Sequence, residues 1–164
     1  MCFWFFVFSF SFFIMKISLK DIARLRSETS AGIMDCKKAL LESKGNFAKA
    51  KIWLEKKGIS KAVKKAGRKT LAGIVESYIH LDGKVGVLVK LGCETDFVAR
   101  NKEFKKLAHE ICLQIAGMKP KNLEALLKQE YIRDSSKKID SLVKEAIGKL
   151  GENIKIEEFE RMEV

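Results

Sequence analysis

Apolar residues recur at three- and four-residue intervals in three stretches near the start of the chain. Leu19, Ile22, Ala23 and Leu25 fall within residues 18–27, Ile33, Cys36, Ala39 and Leu40 within 32–43, and Phe47, Ala50, Trp53 and Leu54 within 46–57. This spacing predicts three helices, each with one apolar stripe. Ser18, three residues before Asp21, suits a capping box, while Gly45-Asn46 and Gly58 punctuate the ends. Helices this short cannot bury their stripes singly, so they are expected to pack as a compact three-helix bundle. In the second of them Ile33, Cys36 and Leu40 suit the bundle core, and Met34, Lys37 and Lys38 fall toward the outer face.

The pattern then changes. Residues 59–70 carry five basic side chains and few large apolar ones, as in a helical or extended linker. Two β-rich runs, 73–81 and 84–91, flank Asp82-Gly83, a strong hairpin signal. From Phe97 the period returns to that of a helix, through Val98, Phe104, Leu107, Ala108, Ile111, Cys112 and Ile115 to Gly117, with Thr95 or Asp96 able to cap it. Pro120 opens a short helical stretch at 123–127, residues 136–150 read as a further helix closed by Gly151, and 153–161 alternate as a last strand. The expected fold is α+β: a three-helix head over 15–58, a basic linker over 59–70, and over 71–164 a small antiparallel sheet, hairpin plus C-terminal strand, packed with helices.

Charge sharpens this division. The chain of 164 residues carries a net charge of +11, and residues 16–70 hold 16 Lys/Arg against 5 Asp/Glu, whereas 71–164 hold 16 of each. The excess therefore lies in the head and linker, where it could steer an acidic protein partner or nucleic acid, and salt would weaken either. Residues 1–14, MCFWFFVFSFSFFI, contain no charge. The segment is shorter than the roughly 20 residues a membrane helix needs and lacks the basic region and cleavage site of a signal peptide. It is read as an apolar extension from a start assigned too early, with Met15 as the biological start and a membrane anchor as the alternative.

Covalent chemistry finds little support. No P-loop, GxGxxG fingerprint, Ser/His/Asp set or catalytic carboxylate pair occurs in a fitting context. The two histidines, His80 and His109, sit in ordinary amphipathic patterns and are expected to be structural or solvated. Cys2, Cys36, Cys93 and Cys112 form no CxxC pair or zinc spacing and are read as reduced, mostly buried thiols of a cytosol-like compartment. No metal site, cofactor or catalytic residue is expected.

Two stretches carry a family resemblance. Residues 25–40, LRSETSAGIMDCKKAL, and residues 93–101, CETDFVARN, resemble the two signatures of the elongation factor Ts family, and GENIKI at 151–156, followed by Phe159-Glu160-Arg161, resembles its closing strand. The match runs collinearly from Met15 to the C-terminus. It implies a ubiquitin-associated-like head that docks on elongation factor Tu, a core that reaches the partner's nucleotide site, and exchange of GDP without covalent chemistry. The residues matching the element that displaces magnesium and the phosphate loop are Thr95, Asp96, Phe97 and Val98; Met34, Lys37 and Lys38 are the head's candidate contacts. The resemblance implies a cytoplasmic protein, bacterial or in an organelle's matrix, with no requirement for nucleic acid or a membrane.

At a strand-to-helix turn, an aromatic ring beside a carboxylate can wedge into a partner pocket while the acid competes for contacts around the metal. The plain alternative makes Phe97 and Val98 core residues of the following helix and Asp96 its N-cap. A competing function is a small basic RNA- or ribosome-binding protein; against it, Glu94 and Asp96 flank Phe97 and would repel phosphate. Typical family members carry a longer middle region with a second subdomain and a helical hairpin, whereas here only residues 120–135 bridge that distance. Contacts and dimerisation that depend on those elements do not transfer.

Overall fold

The computed structural model describes residues 17–164; the apolar extension, Met15 and Cys2 lie outside the described residues. Helix α1, Leu19–Thr29, begins with the capping box: Ser18 Oγ accepts from the Lys20 N–H at 3.1 Å, and Asp21 Oδ2 accepts from the Ser18 N–H at 3.3 Å. Helix α2, Ile33–Glu42, follows a short turn, and α3, Phe47–Lys65, is capped by Asn46, whose Oδ1 accepts from the Lys49 N–H at 3.0 Å. Ile22, Leu25, Cys36, Ala39, Leu40 and Ala50 form the head's core, with Phe47, Trp53 and Leu54 packed against it. Leu19 and Ile33, whose spacing suited the interior, are instead largely exposed. Each sits at the first position of its helix, where the stripe runs off the end of the bundle.

Helix α3 does not stop at Gly58. It continues through 59–65, so the first half of the basic stretch is helical. Its 19 residues span about 28 Å, enough to reach from the head to the main core. There Ala62 is buried and Gly58 meets Gly148 backbone to backbone.

Strands β1, Ala72–His80, and β2, Val85–Cys93, pair antiparallel across a turn in which Asp82 and Gly83 adopt φ values of 52° and 92°. Positive φ at both central residues matches the right-handed twist of a hairpin. The last strand, β5 (Ile154–Glu163), pairs antiparallel with the other edge of β2, so the sheet order is β1-β2-β5. The central strand accordingly buries Val85, Val87, Val89, Leu91 and Cys93.

Where one helix is expected from Phe97, two occur: α4, Asp96–Ala99, and α5, Lys102–Met118. Asn101 interrupts them, its Oδ1 accepting from the Glu103 N–H at 2.9 Å. Helix α5 lies on the sheet and buries Phe104, Leu107, Ala108, Ile111, Cys112 and Ile115. After α6, Leu123–Lys128, the chain forms a small hairpin of β3, Glu130–Tyr131, and β4, Asp134–Lys138, before α7, Ile139–Leu150. The expected helix from residue 136 thus begins three residues later. Asp134 Oδ1 accepts from both the N–H and hydroxyl of Ser136, at 3.1 and 2.6 Å, local bonds at the start of β4 that compete with a helical start at residue 136. Buried Gln114 pins the hairpin, donating to the Glu130 carbonyl at 3.0 Å and accepting from the Ile132 N–H at 2.9 Å. The result is a mixed α+β fold, a helical head followed by a small antiparallel sheet packed against helices.

Candidate protein-docking site

The chain leaves the buried end of β2 at Cys93 and turns at Glu94-Thr95 into α4. Carbonyls close the turn on itself: Thr95 accepts from the Ala99 N–H at 3.2 Å and Asp96 from the Arg100 N–H at 3.1 Å. The Cys93 thiol, pushed above its ordinary range by burial, donates to the Thr95 carbonyl at 3.2 Å. Val98 and Ala99 anchor the short helix in the core, and Val98 is only 8% exposed. Phe97 points the other way and is 90% exposed. Of the four candidate residues on this segment, Thr95, Asp96 and Phe97 therefore share the free surface while Val98 holds it from beneath.

Thr95 occupies the N-cap position of α4 but makes no capping bond. Its hydroxyl donates instead to Glu152 Oε1 at 2.6 Å, and its N–H donates to Glu152 Oε2 at 2.9 Å. The Glu94 N–H donates to that same oxygen at 3.1 Å. In return, Glu94 Oε1 accepts from the Asn153 N–H at 2.7 Å, a bond that with Arg68 holds the Glu94 carboxyl below its ordinary value. The Asn153 side chain donates to the Arg68 carbonyl at 2.7 Å, and Lys65 Nζ donates to the Gly151 carbonyl. Three segments distant in sequence thus converge behind the Phe97 turn. Sequence reasoning missed Glu152, Glu94, Asn153 and Arg68; the only signal was that Glu94, Glu152 and Asn153 lie inside the quoted motifs.

The head presents a second free surface. Met34, Lys37 and Lys38, at helical spacing on α2, are all exposed, and Met34 is 63% so. Ile33 joins a shallow groove lined by Leu19, Ala23 and Arg26 of α1. Asp35, on the side of α2 toward α3, accepts from Lys57 at 2.7 Å and Lys61 at 2.5 Å, which lower its pKa and tie the head to the second half of α3.

His80 and His109 flank Tyr78 at the sheet edge: the Tyr78 hydroxyl lies 2.9 Å from His80 Nδ1, and the His109 ring meets Tyr78 edge-on. Among the described residues there is no group of three His, Cys, Asp or Glu that could hold a metal ion, and no helix long and apolar enough to cross a membrane.

A family model described as Elongation factor TS matches residues 94–164, beginning on the Phe97 turn. The elongation factor Ts of Coprothermobacter proteolyticus is 41% identical over 192 aligned positions, covering 90% of this chain and 98% of the relative. The chain belongs to the elongation factor Ts family. Elongation factor Ts of Rippkaea orientalis is 41% identical, covering 89% of this chain and 77% of the relative. The chloroplastic elongation factor Ts of Guillardia theta is 44% identical, covering 90% and 88%. Family membership makes the protein a translation elongation factor. A 164-residue chain cannot fill 192 aligned positions, so these elongation factor Ts relatives carry internal residues with no counterpart here.

Proposed function

We propose that the protein accelerates release of GDP from elongation factor Tu by inserting the Thr95–Phe97 turn beside the partner's magnesium and phosphate-binding loop, so that GTP can rebind. The observation that carries this reading is Phe97, a large aromatic side chain 90% exposed on a turn held on both sides of the ring, through the Glu94 and Thr95 N–H groups and the Thr95 and Asp96 carbonyls. Leaving it in water forgoes the roughly 1.5–3 kcal/mol that burial of such a side chain yields. A partner pocket recovers that amount without first ordering a loop. The Asp96 carboxylate, beside the ring, competes for polar contacts around the metal, and Val98 braces the turn from the core.

The chemistry is binding only. An exchange factor needs the partner's affinity for GDP to fall when the factor is bound. A coupling of about 1–3 kcal/mol lowers it roughly 5- to 150-fold, and GDP must then weaken the factor's binding by the same ratio. Met34, Lys37 and Lys38 form the head's contact on the partner, and the head's positive charge speeds encounter with an acidic surface. The protein acts in the bacterial cytoplasm or an organelle's matrix, wherever its partner is.

The test is release of a fluorescent GDP analogue from purified elongation factor Tu, followed after addition of excess unlabelled GDP. Acceleration that saturates with factor concentration supports the reading. An unchanged rate together with salt-sensitive RNA binding would replace it with the nucleic-acid alternative.

A further inference from the structure

Two loops far apart in sequence hold one another behind the docking turn. The α7–β5 loop contributes the Glu152 carboxylate, which accepts from the Glu94 and Thr95 N–H groups and from the Thr95 hydroxyl at 3.1, 2.9 and 2.6 Å. The β2–α4 turn contributes the Glu94 carboxylate, which accepts from the Asn153 N–H at 2.7 Å. Each loop's backbone is thereby bound by the other's acid. Phe97 itself makes no such bond: only the backbone of its turn fixes where the ring points. Without Glu152 two adjacent N–H groups and a hydroxyl would turn to water, and the segment from Glu94 to Asp96 would keep only the Glu94–Asn153 bond and the bonds to the Thr95 and Asp96 carbonyls, a looser hold above buried Val98.

Building on the exchange reading above, we infer that Glu152 is a positioning residue for the Phe97 wedge, acting through the Thr95 turn and not through contact with the partner. Its role is preorganisation: a ring held in place before encounter loses little freedom on insertion, whereas a loose one must be ordered at the moment nucleotide is displaced. Glu152→Gln preserves the arrangement, because one oxygen can still accept from the two N–H groups while its amide donates to the Thr95 hydroxyl. Glu152→Ala preserves none of it. The head's surface is untouched in either variant, so encounter with the partner is conserved and the defect falls on the displacement step.

The experiment measures GDP release from elongation factor Tu across a range of factor concentrations, separating the maximal rate from the half-saturating concentration, for wild type, Glu152→Ala, Glu152→Gln, Phe97→Ala and the Phe97→Ala/Glu152→Ala double variant. Amide hydrogen exchange of residues 94–98 is recorded in the free proteins. Expected are a maximal rate about tenfold lower in Glu152→Ala with half-saturation within about threefold of wild type, near-complete rescue in Glu152→Gln, no further loss when Glu152→Ala is added to Phe97→Ala, and faster exchange of 94–98 in Glu152→Ala alone. Should Glu152→Ala fail to fold, Glu152→Asp, whose shorter side chain cannot reach all three groups, takes its place with a smaller loss in the same parameter. A full maximal rate in Glu152→Ala, a defect confined to half-saturation, or losses that add to those of Phe97→Ala would overturn the inference while leaving the exchange reading intact. A wild-type protein that does not accelerate release overturns the exchange reading itself, and this role for Glu152 with it.

Discussion

The crossing of α3 and α7 supplies a sharp prediction because two glycines meet there with unequal room. A Cβ placed on Gly148 would lie 2.8 Å from Gly58 Cα, a backbone atom of α3 that cannot swing aside. A Cβ placed on Gly58 would stand 3.8 Å from Gly148 Cα, an ordinary contact. Both positions are helical, so either change to alanine gains up to about 1 kcal/mol of helix propensity. Only Gly148→Ala also forces the helices apart, at a cost of about 1–3 kcal/mol. The propensity gain is common to the pair, and Gly148→Ala is therefore expected to be less stable than Gly58→Ala by about 1–3 kcal/mol. Urea unfolding followed by circular dichroism reads this directly, and in thermal melts each kcal/mol moves the midpoint by about 2–4 °C at this chain length. Equal stability of the two variants, or a more stable Gly148→Ala, would refute the packing argument and with it the placement of the head on the core through α3.

Other outcomes follow from the same geometry. Gly73→Ala puts a methyl 2.4 Å from the Leu91 carbonyl oxygen across the hairpin, so it should destabilise by about 1–3 kcal/mol in the same urea assay; a neutral variant would contradict the β1–β2 register. Lys57 and Lys61 depress the Asp35 pKa, so their contribution is present above the unfolded value of 3.8 and lost as pH falls through the lower folded value. Asp35→Asn should therefore lose at most about 1 kcal/mol at neutral pH, the pair being partly exposed, and its stability should fall less steeply than wild type's below that pH. Hydrogen bonds from Lys119 and Arg161 hold Glu163 at about 2; Lys119→Ala should raise that value in an NMR titration, and no change would rule out the pairing. Burial pushes the Cys112 thiol to about 12, so thiol reagents should modify it only on unfolding, as peptide mapping would show.

Most of the scaffold is legible in local pattern. The stripes of α1 and α2, the Asp82-Gly83 turn and the alternation of β5 each depend on neighbours within a few residues. What the pattern conceals depends on partners far along the chain. Gly58 reads as a helix stop, yet α3 continues through it to the main core, where α7 comes against the Gly58 backbone because Gly148 has no side chain to stand between them. The β3–β4 hairpin has no apolar alternation to announce it; buried Gln114 holds it from α5. Phe97 fits the apolar period of the helix that follows, and only the break at Asn101 separates it from that helix's buried face. The Thr95 hydroxyl, a natural capping group, is taken instead by Glu152, 57 residues away. The family motifs point to the segment; the bonds that fix its shape are tertiary.

If an exposed aromatic on a braced turn displaces the nucleotide, wild type and Phe97→Ala must differ in exchange and not in stability. Because the ring is almost wholly in solvent, the substitution should leave the melting temperature of the free factor unchanged while slowing stimulated GDP release from elongation factor Tu at saturating factor by about thirtyfold or more, as loss of a central aromatic contact of about 2 kcal/mol or more requires. A folded Phe97→Ala protein that releases GDP as fast as wild type would contradict the account.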